Sequence, residues 1–239
     1  ILDGTIVAGK LAIAACKRHV SDLARERTDE FPYYFDEFDA EEMCSFFPMA
    51  LRHSKGSKFA GHPFHLEPWQ LFVVWSIFGW KRMGDDTRRF RYAHLSFARK
   101  NGKSTLAAGF ALIGLTMDHE PGAEIYIAAT KKDQAKCVFD EAVRMRTSNE
   151  FLKTAIKSHI NRLFVTETNS FCCTTASDKP LDGPNPHYVI FDELHAWRKQ
   201  HRKYYDTMVT GSASRTQPIQ IEITTFGDDQ SEIWLETLT

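Results

Sequence analysis

The sequence predicts an α/β fold in which helices flank a central, mainly parallel sheet. Three observations support this fold class. Strand-like and helix-like segments alternate from residue 91 onward, as they do in chains that build parallel sheets. A strand-like segment at 91–97 leads through a short polar loop into an apolar helix at 105–117. The segment 188–191 is apolar throughout, which is typical of a strand buried on both faces of a sheet.

The composition is that of a folded protein. Of the 239 residues, 43% are hydrophobic and 26% are charged, which excludes a disordered chain and allows a sizeable core. The longest apolar run, LFVVWSIFGW, has about half the length that a membrane-spanning helix needs, so we expect no contact with a membrane. The formal net charge of -1 predicts no general attraction to nucleic acid. Any contact with a polyanion must therefore come from a local patch.

Two further features concern the setting of the chain. Its five cysteines are odd in number and lack a C-x-x-C spacing, which favours a reduced, cytoplasmic setting over a disulfide or zinc framework. No signal peptide is visible. The chain begins at Ile1 and stops soon after a strand-like segment and a short helix-like stretch, so we expect a fragment or an excised domain.

The first 60 residues predict a helical appendage. Apolar residues recur at near-helical spacing from 8 to 27, which predicts an amphipathic helix. The aromatic and acidic stretch FPYYFDEF follows, and residues 40–53 then predict a second helix that is interrupted near Pro48. We therefore divide the chain into a lid-like appendage at 1–60 and a core at 61–239.

Residues 65–80 predict an apolar helix that begins at Pro68, because proline is favoured in the first turn. Gln70 then lies at the start of this helix. Its amide carries both a donor and an acceptor and can pair with N6 and N7 of adenine. The alternative is a surface glutamine on a hydrophobic helix.

A basic stretch follows between residues 81 and 103. Its lysines and arginines are Lys81, Arg82, Arg88, Arg89, Arg91, Arg99, Lys100 and Lys103. Such density predicts a surface for polyphosphate or DNA. For Arg88, Arg89 and Arg91 the alternative is a solvated turn and edge strand.

The segment 96–105, SFARKNGKST, is typical of a phosphate-binding loop. It joins a strand to a helix, so backbone N–H groups converge at a helix N-terminus, where anions bind. In the pattern G-x-x-x-x-G-K-[ST], the lysine reaches the β- and γ-phosphates and the hydroxyl residue binds Mg²⁺. Lys103 and Ser104 hold these two positions.

The loop departs from the pattern in two ways. Phe97 replaces the first glycine, and Arg99 and Lys100 are unusual inside such a loop. The alternative interpretation is a chance Gly-Lys-Ser at a helix start, which an acidic partner further along the chain makes less attractive.

That acidic partner lies in 187–197, HYVIFDELHAW. The apolar strand runs directly into Asp192 and Glu193, which places two carboxylates at the C-terminal edge of a parallel strand, where α/β sheets bind ligands. Asp192 is expected to hold Mg²⁺ through its water shell, and Glu193 to polarise the water that attacks the γ-phosphorus. The alternative, a strand that ends in a solvated acidic turn, is weakened by the loop at Lys103.

The remaining segments complete the alternation. They are a strand at 124–130, a helix at 131–147, a β-hairpin at 162–176 that turns at 168–170, a helix at 204–211, and a strand at 217–226 that ends in Thr224 and Thr225. At least one strand separates the loop strand from the acidic strand in sequence, and a glutamate follows the aspartate. Both features favour a RecA-like (ASCE) P-loop ATPase core over a kinase-like P-loop enzyme.

Together, these segments resemble the ATPase domain of the large terminase subunit of tailed bacteriophages. The matching stretches are GHPFHLEPWQ, RRFR before FARKNGKST, IAATKKDQAK, GPNPHYVIFDELHAW and ITTFGDD, and they cover nearly the whole chain. The phosphate loop of that family typically lacks the first glycine and carries an arginine. Here Phe97 stands in place of that glycine, and Arg99 is the arginine.

The resemblance implies roles for particular residues. Glu193 is the catalytic carboxylate, Asp192 supports the metal, and Gln70 contacts adenine. Arg99 senses the γ-phosphate. The other ATP-binding residues are Lys100, Asn101, Gly102, Lys103, Ser104 and Thr105, and the coupling motif that links hydrolysis to DNA movement is formed by Thr224 and Thr225.

The resemblance also implies an activity and partners. The expected activity is ATP hydrolysis with Mg²⁺ that moves double-stranded DNA into a procapsid, in the host cytoplasm, with a portal protein and a small terminase subunit. The expected assembly is a ring, with five subunits. The family's RNase H-like nuclease domain should begin after about the point where this chain ends, so we expect no nuclease activity.

Two other functions remain open at this stage. One is a superfamily 2 DExH helicase, which the order Asp192, Glu193, Leu194, His195 imitates; the other is an ATP-gated adaptor that does not hydrolyse ATP. Ring ATPases also commonly add an arginine from a neighbouring subunit. The candidates are Arg88, Arg89, Arg91, Arg144, Arg146 and Arg162.

Overall fold

The computed structural model describes residues 1–178 and 183–238. The strands are β1 (Tyr33–Phe35), β2 (Trp80–Arg82), β3 (Tyr92–Ser96), β4 (Glu124–Ala129), β5 (Lys157–His159), β6 (Arg162–Val165), β7 (Ser170–Ala176), β8 (Tyr188–Asp192) and β9 (Ile219–Thr224). The helices are α1 (Lys10–Leu23), α2 (Glu37–Ala50), α3 (Pro68–Gly79), α4 (Lys103–Thr116), α5 (Lys132–Thr147), α6 (Glu150–Ala155), α7 (Arg202–Thr210) and α8 (Glu232–Glu236). Short 3-10 helices occupy Leu194–Ala196, Lys199–His201 and Gly211–Ser214.

The central sheet has seven strands in the order β3-β9-β8-β4-β7-β6-β5. The first five run parallel, whereas β6 pairs antiparallel with both β7 and β5, so the sheet is mainly parallel as predicted. In space, β9 lies between the strand that enters the phosphate loop and the acidic strand. Ser96 pairs with Thr224 and Asp192 pairs with Ile223, so the three strands end at the same edge.

The core lies on both faces of this sheet. All residues of β8 and β9 are buried, and helix α4 is buried from Leu106 to Leu115 because its sequence is apolar on every side. Gly109 of α4 allows close contact with α2, since a methyl group there would lie 2.4 Å from Cε1 of Phe47. The phosphate loop is therefore attached to one of the most firmly packed helices of the molecule.

The segment 1–60 contributes to this core. Phe46 and Phe47 of α2 belong to the same cluster of buried residues as α4 and the sheet, whereas α1 is largely exposed. The division into an appendage at 1–60 and a core at 61–239 stays a prediction. Among residues 1–178 and 183–238, none of the helices is long and apolar enough to span a membrane.

Most segments form the elements that the sequence predicts. The hairpin is confirmed as β6 and β7, and the helix at Pro68 begins where expected. The predicted interruption near Pro48 is wrong, because α2 continues to Ala50. Pro48 lies in the last turn of this helix, where the loss of one backbone N–H donor breaks only a single hydrogen bond near the helix end. The small sheet of β1 and β2, the strand β5 and the helix α6 have no counterpart in the prediction.

Candidate nucleotide-binding site

The phosphate loop is a tight connection between β3 and α4. Its backbone enters the left-handed region at Lys100 (φ 66°) and again at Gly102 (φ 75°), where glycine is the favoured residue. Asn101 steadies the loop by donating from Nδ2 to the carbonyl of Ala98 at 3.3 Å. Helix α4 then begins with neither a side-chain cap nor an acidic residue in its first turn. Its positive end is thus available to an anion.

Phe97, in the position of the missing glycine, fixes the loop from the other side. Its ring packs against Trp69 with 4.6 Å between centroids, and its N–H donates to the carbonyl of Thr224 at 3.1 Å. The loop is therefore joined directly to the end of β9.

Lys103 and Glu193 form an ion pair across the edge of the sheet. Nζ of Lys103 lies 3.1 Å from Oε1 and 3.4 Å from Oε2 of Glu193. The lysine side chain is 9% exposed and the glutamate 30%, so solvent screens this pair only in part. Glu193 itself has a left-handed backbone (φ 51°), an uncommon conformation for this residue that is found at functional sites. Two residues predicted to flank the γ-phosphate are thus brought together.

Asp192 is almost completely buried behind this pair. Its Oδ1 accepts a hydrogen bond from the N–H of Glu193 at 3.0 Å. Burial raises the pKa of Asp192 to about 7, the charge of Glu193 acts in the same direction, and Lys103 opposes both. The buried carboxylate therefore lacks sufficient positive charge around it.

These groups fit a Mg²⁺ ion bound with a nucleotide. A carboxylate and a hydroxyl are the oxygen ligands that this ion prefers, and Ser104 supplies the hydroxyl from the first turn of α4. A divalent cation near Asp192 would provide the charge that the buried carboxylate lacks.

Gln70 lies next to the loop. Its side chain is 3% exposed, and a methyl group on Gly102 would lie 3.4 Å from Nε2. Oε1 accepts a hydrogen bond from the N–H of Glu67 at 2.9 Å and completes a capping box at the start of α3. Pairing with adenine through both amide atoms would therefore use the second lone pair of Oε1.

Arg99 and Lys100 are exposed on the loop. Arg99 is close enough to His195 to act in lowering the pKa of that imidazole. Asn101 is exposed as well, and Thr105 is half-buried in the first turn of α4.

The six candidate arginines fall into two groups. Five are held by bonds within the chain: Arg88 by Asp118, Arg89 by Asp22, Arg91 by the carbonyl of Thr216, Arg144 by Glu141 and Ser54, and Arg146 by the carbonyls of Lys153 and Ile156. Arg162, the sixth, is exposed, and Arg91 is exposed as well. Arg88 is 2% exposed and Arg89 14%, so the structure supports neither a DNA surface nor a solvated turn at these two.

Thr224 and Thr225 lie at the end of β9, between the loop strand and the acidic strand. Thr224 is fully buried and Thr225 half-buried. Both hydroxyls contact the ring of His195, and the sequence did not mark this histidine as a site residue. The order Asp-Glu-Leu-His was visible, but the contact depends on β9 being the neighbour of β8.

A second feature that the sequence did not reveal is a buried carboxylate on β9. Glu222 is fully buried, and its oxygens accept hydrogen bonds from the hydroxyls of Tyr92 and Tyr205 and the amide of Gln220. His94 joins this carboxylate to Ser96, at 2.8 Å and 2.7 Å. A polar network therefore reaches the residue that ends the loop strand.

Within residues 1–178 and 183–238, no group of three or more His, Cys, Asp or Glu side chains is arranged to hold a metal ion. Asp228 pairs with Arg198.

The strand order and the facing loop and carboxylates define a protein of the RecA-like P-loop class. Comparison with known proteins agrees. The profile of the family described as "Terminase large subunit, ATPase domain" matches residues 68–238. The chain belongs to this family.

One comparison of sequence and one of structure show how far the similarity extends. The large terminase subunit of Enterobacteria phage HK97 is 28% identical over 188 residues, which cover 75% of this chain and 36% of that protein. The crystal structure of the HK97 large terminase superposes with a TM-score of 0.70 at 24% identity, over 83% of this chain and 40% of that one. The RecA-like fold is thereby confirmed. The chain spans little more than a third of the length of this curated relative.

Proposed function

We propose that this chain is the ATP-hydrolysing domain of a motor that moves double-stranded DNA into a viral procapsid. The observation that carries the proposal is the ion pair between Lys103 and Glu193, because it joins a phosphate-binding loop to an acidic strand with a third strand between them in the sheet. Membership of the terminase ATPase family supports the same activity.

The proposed roles follow from where each group lies. Lys103 binds the β- and γ-phosphates, Ser104 and Asp192 hold Mg²⁺, and Glu193 orients the attacking water. Bound Mg²⁺ neutralises charge on the phosphates. The remaining contacts with ATP come from Gln70, Arg99, Lys100, Asn101, Gly102 and Thr105.

The ion pair gives the site a resting state. Without phosphate, Lys103 neutralises the carboxylate that is proposed to orient the attacking water. The phosphates of ATP compete for Lys103 with several negative charges, so Glu193 is released when its function is needed. Binding of ATP and activation of the Glu193 carboxylate are thereby one event.

Coupling to DNA would pass through Thr224 and Thr225. In the proposed assembly the chain forms a ring, of five subunits by family resemblance, and acts with a portal protein and a small terminase subunit in the host cytoplasm. We further propose that nuclease activity belongs to another part of the full protein.

The test compares ATP binding and phosphate release in two variants. Lys103→Ala should weaken ATP binding by about 100-fold, because one charged contact with phosphate contributes about 3 kcal/mol. Glu193→Gln keeps the shape but loses the charge, so ATP should bind while turnover falls by about 100-fold or more. Lys132→Ala, which removes an exposed lysine from the start of α5, is the matched control and should behave as the parent. Parental ATP affinity in Lys103→Ala, or parental turnover in Glu193→Gln, would rule out the assigned site.

A further inference from the structure

His195 has an unusual position between the catalytic carboxylate and the end of β9. Its Nδ1 lies 3.2 Å from Oε2 of Glu193, 3.1 Å from Oγ1 of Thr224 and 3.2 Å from Oγ1 of Thr225. One ring nitrogen thus contacts three oxygen atoms from two neighbouring strands.

The hydrogen bonds around Thr224 restrict what this nitrogen can do. The Thr224 hydroxyl donates to the carbonyl of Thr225 at 2.7 Å and accepts from the backbone N–H of His195 at 2.9 Å. Its proton is therefore already used, and it can only accept from the ring.

The other two oxygens make opposite demands. The carboxylate of Glu193 is an acceptor and requires a proton on Nδ1, whereas the hydroxyl of Thr225 can also donate to an unprotonated Nδ1. Burial lowers the pKa of His195, which favours a neutral ring with a single N–H. Nδ1 can consequently either donate to Glu193 or accept from Thr225, but it cannot do both.

We propose that His195 is a positioning residue that links the state of Glu193 to the segment that begins at Thr224. This inference rests on the proposed function. While Glu193 is paired with Lys103, Nδ1–H of His195 holds the carboxylate in place. When phosphate takes over Lys103 and Glu193 turns away, Nδ1 releases its proton to solvent and Nε2 takes one up, since the ring is partly exposed. The unprotonated Nδ1 then accepts from the hydroxyl of Thr225, and the end of β9 changes its hydrogen bonding.

The link continues beyond Thr225. The carbonyl of His195 accepts from the hydroxyl of Ser231 at 2.7 Å, and Ser231 immediately precedes α8. An ion pair between Arg198 and Asp228 makes a second connection between the segment after His195 and the segment 225–231. A shift at His195 is therefore transmitted to residues 225–231 and to α8, the elements that follow the coupling threonines.

Three substitutions separate this role from simple packing. Asparagine places an amide group near the position of Nδ1, glutamine places it near that of Nε2, and alanine removes both. We expect His195→Ala and His195→Gln to lower kcat by about 10- to 100-fold, because a displaced catalytic group loses rate steeply. ATP affinity should stay within about threefold of the parent, and His195→Asn should restore most of kcat. His159→Ala, at an exposed position on β5, is the control.

Amide hydrogen exchange supplies a readout that does not depend on turnover. In the parent, a non-hydrolysable ATP analogue should change exchange in residues 224–231. In His195→Ala the analogue should bind, but this change should be lost. In addition, the effects of His195→Ala and Thr225→Val on kcat should be non-additive, since the two groups act through one contact.

The outcomes distinguish the two proposals. If Glu193→Gln is inactive while His195→Ala and His195→Gln turn over as the parent does, the inference is wrong and the proposed function stands. If the parent does not bind ATP, the proposed function is wrong and the inference falls with it. Should His195→Ala fail to fold, equal kcat values for His195→Asn and His195→Gln, or unchanged exchange in the parent, would still overturn the inference.

Discussion

Asp192 and Glu193 are adjacent carboxylates with different surroundings. Glu193 is partly exposed and paired with Lys103, whereas Asp192 is 6% exposed, accepts one backbone hydrogen bond, and lies beside a second negative charge. A buried charge without a close counter-ion lowers the stability of the folded state. In the absence of a bound cation, Asp192 is therefore a residue at which the fold gives up stability for a site.

This cost should be measurable as a dependence of stability on pH. The pKa of Asp192 is raised from 3.8 to about 7 in the folded state, so the folded chain holds this proton more tightly than the unfolded chain does. The resulting stabilisation is complete below pH 3.8 and is lost as the pH rises through 7. We expect Asp192→Asn to raise the free energy of unfolding at pH 8 by about 2–4 kcal/mol.

The measurement is urea unfolding of nucleotide-free protein at several pH values. The gain in Asp192→Asn should shrink as the pH falls below 7 and should vanish near pH 4. Asp29→Asn, at an exposed position, should show no such trend. A gain that is equal at pH 8 and pH 5 would mean that the Asp192 carboxyl is not the source.

At the scale of single elements, the position of the phosphate loop depends on how closely α4 packs against α2. Gly109 faces the buried ring of Phe47, and a methyl group there would lie 2.4 Å from Cε1 and 3.0 Å from Cζ. The ring is fully buried and cannot move into solvent. This glycine therefore serves contact between helices and not backbone freedom.

Gly109→Ala sets two effects against each other. Alanine raises helix propensity by about 1 kcal/mol, whereas overpacking a core costs about 1–3 kcal/mol. Because the approach is so short, we expect the clash to win and the free energy of unfolding to fall by about 1–2 kcal/mol. The double variant Gly109→Ala/Phe47→Leu should lose less than the sum of the two single losses, measured by urea unfolding. A stabilised Gly109→Ala would show that α2 moves away freely.

The sequence was sufficient for elements with a strong periodic or apolar pattern. The strands at 188–191 and 217–226 and the helix after Lys103 were found because buried parallel strands and helices are continuously apolar. The sheet of β1 and β2 was missed because each strand has only three residues and the two strands are far apart in the sequence. The interruption predicted at Pro48 was wrong because a proline near the end of a helix disturbs that helix little.

The site shows the same division. Lys103, Ser104, Asp192 and Glu193 could be proposed from the sequence because each lies within a short local pattern. The contact of His195 with Thr224 and Thr225 joins positions about 30 residues apart and exists only because β9 inserts beside β8. Neighbour order in a sheet is not encoded in local spacing, so only a family resemblance could have suggested it.

At the scale of the whole molecule, the active groups lie along one edge of the sheet. The loop after β3, the end of β9 and the acidic end of β8 are adjacent, and within the described chain five of the six candidate arginines are held by bonds to their own chain. Arg91 precedes β3 and so lies at the opposite edge. Arg162 begins β6, which runs antiparallel to β7, and it pairs with Cys173 in the middle of that strand. Through β4, β8 and β9 the register places Arg162 level with Tyr92, so position along the strands does not distinguish Arg162 from Arg91.

Completion of the site by a neighbouring subunit stays a prediction, and we choose Arg162 as its candidate because the other five arginines are held by bonds to their own chain. Arg162 is exposed, and its guanidinium lies 4.0 Å above the ring of Phe171, which restrains its position. An arginine supplied in trans accelerates phosphoryl transfer by about 10³-fold or more. We therefore expect the dilute chain to bind ATP but hydrolyse it slowly, and its turnover per subunit to rise with concentration as subunits associate.

The test is specific activity across a dilution series of the parent and two variants. Arg162→Ala should abolish the rise with concentration while leaving ATP affinity and the slow basal rate unchanged, because its own subunit does not use this side chain. Arg91→Ala removes an exposed arginine that donates to the carbonyl of Thr216 in its own chain, and it should keep the rise. Fast turnover that is independent of concentration would mean that one subunit contains the complete site. A rise that survives in Arg162→Ala but not in Arg91→Ala would assign the contact to Arg91.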